Sequence, residues 1–240
     1  MQRSRRNSSD PRSIFGSLLA YWGRADYVSL SSGAVSALID RTGQQDVAQA
    51  TASKQPTPVI GDLGRPAIRG DGTADILRAN IANTISGRSY MWVVARANSL
   101  PAGTVYGAQT WCTAFTTQHL VPIRMTATNY TAVLGSTDGT DIITGPARDT
   151  NAHLFELGFE TTSAGRYVVD GIAYNGAKTG GPLNGSTDRI TLLGYTDDVV
   201  ETNQGPFDLY ECGLLNALPS TQQRRSLRDY VRRRYAFVIA

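Results

Sequence analysis

The feature that most limits how this chain can fold is a succession of short apolar segments, rich in Val, Thr, Tyr and Leu, separated by polar and Gly-bearing stretches, with one helical pattern at the very end. Strand formers in runs of this length, bounded by turn residues, specify antiparallel sheets. The segments are 18–22 (LLAYW), 34–40 (AVSALID), 67–72, 74–81 (ADILRANI), 89–97 (SYMWVVARA), 104–110, 112–118, 122–134 (PIRMTATNYTAVL), 153–162 (HLFELGFETT), 166–174, 189–195 and 207–215 (FDLYECGLL). Residues 89–97 are apolar on both faces, which predicts a central strand. Asp170-Gly171 is a two-residue hairpin signal. Residues 41–58 read as a long polar loop.

Ser220 and Gln223 form the S-x-x-Q capping box, and Leu227, Tyr230, Val231 and Tyr235 recur at helical spacing. A helix over 220–235 is predicted, with Leu227, Tyr230 and Val231 buried. Its other face is arginine, six against Asp229. The expected fold is therefore all-β: a two-sheet antiparallel jelly-roll sandwich with one C-terminal helix. A chain of 240 residues suits one such domain and can bury roughly 70–75% of its unfolded surface without disulfide or metal. Residues 1–13 (MQRSRRNSSDPRS) read as a basic N-terminal arm, extended and touching another chain; 14–240 form the sandwich domain, helix included.

The net charge of +3 says little by itself, but its placement says more. Basic residues gather at the two ends. Arg3, Arg5, Arg6, Arg12, Arg225 and Arg232 are the candidate partner-binding residues. No aromatic residues interleave them, so an acidic protein surface is preferred to nucleic acid as the partner. No stretch approaches the ~20 apolar residues of a membrane span. Residues 14–22 follow an Arg-rich start, but Arg24 and Asp26 come at once and no A-x-A site closes the run, so it reads as a first strand rather than a signal peptide. Cys112 and Cys212 are too few for a disulfide scaffold and read as buried thiols, with one long-range bridge left open.

Residues 18–43 (LLAYWGRADYVSLSSGAVSALIDRTG), with Trp22-Gly23-Arg24-Ala25-Asp26 and the turn Asp40-Arg41-Thr42-Gly43, resemble the opening of concanavalin A-like, laminin-G-like domains. Gln55-Pro56-Thr57, residues 64–77 (GRPAIRGDGTADIL), 167–171 (YVVDG) and 207–237 are similar to later elements of that family, in the same order. Gly70 stands where the family has Phe, and Leu38 where Trp is common. The resemblance implies a two-sheet sandwich that binds sugars or proteins, or serves as a structural module in phage particles; some relatives are glycosidases.

On that resemblance the leading expectation is a non-enzymatic virion structural protein of a tailed bacteriophage. It would be a capsid decoration or other particle-surface component, made in the host cytoplasm and bound to capsid or other virion proteins. Self-association is a further option. The alternative is a carbohydrate-binding, lectin-like module recognising a surface glycan. A third reading, glycoside hydrolase, rests on Glu156 and Glu160, which fall on one side of a strand but have Gly158 where such enzymes carry Asp. Both glutamates are expected to face solvent or a neighbour, with no deep cleft around them. No catalytic residue, cofactor or metal ligand is assigned. His119 and His153 read as structural. Asp71 with Asp75, Asp138 with Asp141, and Asp197 with Asp198 and Glu201 are oxygen-rich loops for which turn capping is the default over Ca²⁺. Trp111, Tyr106 and Tyr130 could stack on sugars, though strand aromatics more often fill cores.

Overall fold

The computed structural model describes residues 10–18, 20–23, 27–80, 84–87, 89–112, 118–135, 142–161, 164–177, 183–186, 189–196 and 201–237. Its strands in chain order are β1 (Ala20–Gly23), β2 (Val28–Ser31), β3 (Ala34–Leu38), β4 (Val47–Ala48), β5 (Thr57–Ile60), β6 (Pro66–Arg69) and β7 (Leu77–Asn80). Next come β8 (Thr84–Gly87), β9 (Tyr90–Ala97), β10 (Val105–Cys112), β11 (Gln118–Met125), β12 (Asn129–Gly135), β13 (Ile142–Ala147) and β14 (Ala152–Thr161). The last are β15 (Ala164–Val169), β16 (Ile172–Ala177), β17 (Leu183–Ser186), β18 (Arg189–Leu192), β19 (Tyr195–Thr196), β20 (Glu201–Thr202) and β21 (Phe207–Leu215). Two helices, α1 (Pro11–Phe15) and α2 (Thr221–Tyr235), bracket them.

One sheet has the order β16-β15-β14-β9-β21-β6-β5, with β1 also on β21; the other runs β13-β12-β11-β10-β18-β7-β4-β3-β2. Their ladders are antiparallel, for example β9 with β14 and β21, and β10 with β11 and β18. Alternation decides what each face does. Met91, Val93 and Ala95 of β9 point inward and meet Leu120, Ile123, Tyr130 and Ile190 of the opposite sheet. Tyr90, Trp92 and Val94 point outward, yet are equally buried, because α1 and α2 lie on that face. This second layer explains why residues 89–97 are apolar on both sides, as a central strand requires.

The capping box on α2 forms as predicted, and Leu227, Tyr230, Val231 and Tyr235 are buried against Trp92 and Leu215. Each such side chain stabilises the docked helix by roughly 1.5–3 kcal/mol. Asp170 and Gly171 take φ of +50° and +90°, as a primed hairpin turn requires, and join β15 to β16.

Three details depart from expectation. Residues 122–134 hold parts of two strands, because Thr126 Oγ1 accepts the backbone N–H groups of Thr128 and Asn129 and turns the chain between β11 and β12. Residues 41–58 carry β4, a short 3-10 turn and the start of β5. Pro11–Ser13, expected in an extended arm, instead begin α1. Asp10 caps that helix and Pro11 presets its first turn, while Phe15 packs on the Tyr90 ring at 6.5 Å and Ile14 O accepts from Gln223. Residues 1–9 lie outside the described residues.

Candidate functional site

The outer face of the β9–β14–β21 sheet is sealed by α2, and this overturns the solvent-facing expectation for Glu156. Glu156 is 1% exposed, not on a solvent face. Its carboxylate accepts Arg228 Nε at 2.7 Å, Arg228 Nη2 at 3.3 Å and the Tyr90 hydroxyl at 2.6 Å. The Glu160 side chain lies outside the described residues. A second buried carboxylate, Glu211, accepts the hydroxyls of Tyr21, Tyr230 (2.8 Å) and Tyr235 (2.6 Å), with Arg234 Nε at 3.4 Å. Burial pushes the Glu211 carboxyl above its ordinary value, against the pull of those three hydroxyls and of Arg234. Both networks are consumed by helix docking, and a catalytic acid or base has to reach a substrate proton. Glu211 was legible in one respect: with Asp208 it is one of two acids in the otherwise apolar run FDLYECGLL.

The candidate partner-binding arginines separate. Arg3, Arg5 and Arg6 lie outside the described residues. Arg225 and Arg232 are exposed on α2, and Arg232 pairs with Asp229 at 3.0 Å. Arg12 belongs to a different surface, a rim made by α1, the segment that follows it and the 39–46 loop.

That rim is built around Asp40, which is 3% exposed. Its carboxylate accepts Tyr21 N at 2.8 Å, Thr42 N at 2.9 Å, Thr42 Oγ1 at 2.6 Å, Gln44 N at 3.0 Å and Gln45 N at 2.9 Å. Asp46 Oδ1 accepts Asp40 N at 2.8 Å, and Trp22 Nε1 donates to Gln45 O at 2.9 Å. The loop is thus a knot anchored to β1, with its backbone donors satisfied by the Asp40 and Asp46 carboxylates. Asp10 ties α1 to it: Arg12 Nη2 sits 2.8 Å and Arg41 Nη1 3.2 Å from Asp10 Oδ2. Burial acts to raise the Asp10 carboxyl, but the hydrogen bonds from Arg12 and the charge of Arg41 outweigh it and hold it below its ordinary value. Arg41 also lies over the ring of Tyr27 at 4.8 Å, and Tyr27 is 42% exposed. Three open depressions meet on this rim, and Gln44 lines all of them; the largest, about 480 Å³, also has Gln45 and Asp46 in its wall. Tyr27 and the Gln44–Asp46 run carry no sequence signal that marks them as a site.

Tyr130 and Tyr106 are buried, Tyr106 against Tyr195 at 4.9 Å, so neither is a stacking platform; the Trp111, Cys112 and His119 side chains lie outside the described residues. Cys212 is a buried free thiol. Asp71 caps its own turn, accepting Thr73 N and Ala74 N at 2.8 Å each, which holds its carboxyl at about 2 despite partial burial. Burial and the charge of Asp71 push Asp75 up to about 6. Glu201 is clamped by Lys54 and Arg78; Asp138, Asp141, Asp197 and Asp198 lie outside the described residues. Among the described residues no cluster of three or more His, Cys, Asp or Glu could hold a metal ion. His153 is held on both sides, Nδ1 at 2.6 Å from Asp170 and Nε2 at 2.8 Å from Asp149, a structural role as expected.

No family model matches the sequence, and no curated protein matches it. Solved structures do resemble the fold. A Trypanosoma rangeli sialidase in complex with 2,3-difluorosialic acid superposes with a TM-score of 0.64 at 11% identity, over 89% of this chain and 32% of the sialidase. The botulinum neurotoxin serotype D binding domain gives 0.63 at 8% identity, over 92% of this chain and 53% of that one. A structure of the receptor binding domain of botulinum neurotoxin D gives 0.63 at 9%, over 91% and 54%. The chain thus spans about a third of the sialidase and about half of the toxin domain. At these identities the likeness establishes one thing, that the chain is a two-sheet β-sandwich of a kind these proteins share.

Proposed function

We propose that this protein is a non-enzymatic carbohydrate-binding module of the concanavalin A-like, lectin type, which takes a glycan on the rim formed by α1 and the 39–46 loop. One observation carries the reading: Gln44 borders three open depressions, two of them mainly polar, on a loop whose backbone is already locked by Asp40. Shallow sites of this kind can bind polyols because side-chain amides, hydroxyls and carboxylates supply directional partners, and a rigid loop loses little entropy on binding. Arg12 lies on this rim, with its guanidinium held by Asp10. The sialidase and toxin binding-domain structures support a binding role. The sealing of Glu156 speaks against the glycosidase reading.

The particle-surface reading keeps one supporting feature, the outward Arg225 and Arg232 on α2, which suit an acidic protein partner. None of the similar structures named above is a particle protein, so the lectin reading is preferred.

The test is a glycan array with the full chain, followed by calorimetry on any hit. Binding should fall at least about tenfold in Gln44→Ala with an unchanged melting temperature, since tenfold is the loss of one good polar contact. An array without hits, or hits indifferent to Gln44, would overturn the assignment.

A further inference from the structure

The charges on the rim specify what kind of glycan it takes. Two guanidiniums, Arg12 and Arg41, look at first like a receptor for an acidic sugar. Both are already spent. Arg12 reaches Asp10 through Nε (3.1 Å) and Nη2 (2.8 Å), and turns Nη1 to Arg41 O at 3.4 Å. Arg41 shares the same Asp10 carboxylate and covers Tyr27. Against these two cations the described rim sets three carboxylates, Asp10, Asp40 and Asp46, a net charge of −1. Asp46 is exposed on the wall of the largest depression and accepts Asp40 N through Oδ1, which does not exhaust the acceptor capacity of a carboxylate. A carboxylate brought there would meet like charge and neutralised arginines, whereas a pair of sugar hydroxyls would find an acceptor at Asp46, beside Gln45 and beside Gln44, whose Nε2 also donates to Leu18 O at 3.4 Å.

We infer that the rim selects a neutral glycan bearing adjacent free hydroxyls and rejects sialylated or uronate-bearing ones, with Asp10 acting as the internal counter-ion that silences Arg12 and Arg41. This rests on the lectin reading above. It also predicts how selectivity is reversed. Asp10→Asn keeps a good N-cap on α1 but releases both guanidiniums. With Asp46→Asn added, the rim gains two positive charges, from −1 to +1, and free forks for a carboxylate.

The experiment compares neutral, sialylated and uronate-bearing oligosaccharides on one array, using three versions of the full chain. The first is the natural chain. The second carries Arg3, Arg5 and Arg6 as alanine, which removes any contribution of the N-terminal charges. The third adds Asp10→Asn and Asp46→Asn to the second, with circular dichroism and melting temperature confirming its fold. Neutral glycans should be preferred by the alanine version, and acidic glycans should gain about tenfold in the third. A preference of the alanine version for acidic glycans, lost in Gln44→Ala, would overturn this inference and leave the lectin reading standing. So would a folded third version with no gain. No binding to any glycan would overturn both.

Discussion

Arg228 Nε lies 2.7 Å from Glu156 Oε1, and that carboxylate is 1% exposed. The pair links α2 to β14 across the second apolar layer, with Tyr90 as third partner. Removing one member of a buried pair leaves a charge without compensation, which costs about 3–5 kcal/mol. Arg228→Ala should therefore lower the unfolding free energy by about that amount in urea titrations. Arg228→Met with Glu156→Gln should recover most of it. A loss below about 1 kcal/mol for Arg228→Ala would mean that water reaches Glu156 and that α2 is not sealed.

Tyr235 and Glu211 make the parallel anchor at the other end of the helix, 2.6 Å apart. A hydrogen bond to a buried charged acceptor contributes about 1.5–3 kcal/mol. Tyr235→Phe should cost that much, while Tyr27→Phe, at an exposed ring, should stay within about 0.5 kcal/mol of the parent. Equal effects at the two tyrosines would contradict the assignment of Glu211 as a docking centre.

His153 should give stability a pH dependence of definite sign. Burial alone would lower its pKa, but the carboxylates of Asp170 and Asp149 outweigh that and raise it above 6.5. The imidazolium thus stabilises the folded state fully below the unfolded value and progressively less as pH rises through the folded one. Asp149 acts in the opposite sense. Burial acts to raise its pKa, but the hydrogen bonds from His153 and Asn151 and the charge of His153 outweigh that and lower it, and the net depression gives stability that is lost as pH falls through its folded value. The cluster is strongest between the two ranges. Melting temperatures of the parent should fall relative to His153→Gln as pH rises above 6.5. Parallel curves for the two proteins would dismiss the cluster as a titrating staple.

What was legible in the sequence followed local rules. The unbroken apolar run in 89–97, Asp170-Gly171 and the Ser220–Gln223 box each act within a few residues, so each specified its element without the rest of the chain. Glu156 was misread because alternation tells which side of β14 it takes, not that a helix about 70 residues later covers that side. α1 was signalled by Asp10-Pro11 but masked by the polar stretch before it. The rim was invisible because it joins Arg12, Tyr27 and Gln44 through contacts that only the folded loop provides.

The arginines of α2 should divide by function along a single helix. Arg228 and Arg234 have side chains 16% and 17% exposed and turn to Glu156 and Glu211. Arg225, Arg232 and Arg233 are exposed, and the Arg232–Asp229 pair is a surface ion pair. Surface pairs contribute about 0–1 kcal/mol, and charges in a last helical turn add a few tenths each. Arg225→Ala, Arg232→Ala and Arg233→Ala together should therefore cost no more than about 1 kcal/mol. The same triple change removes the whole formal charge of +3, so elution from a cation exchanger should move to lower salt. If the exposed arginines also hold an acidic protein partner, its binding should weaken in the triple variant and in high salt, while glycan binding at the Gln44 rim stays unchanged. Loss of glycan binding in that variant would place the glycan on α2 and remove the rim from consideration.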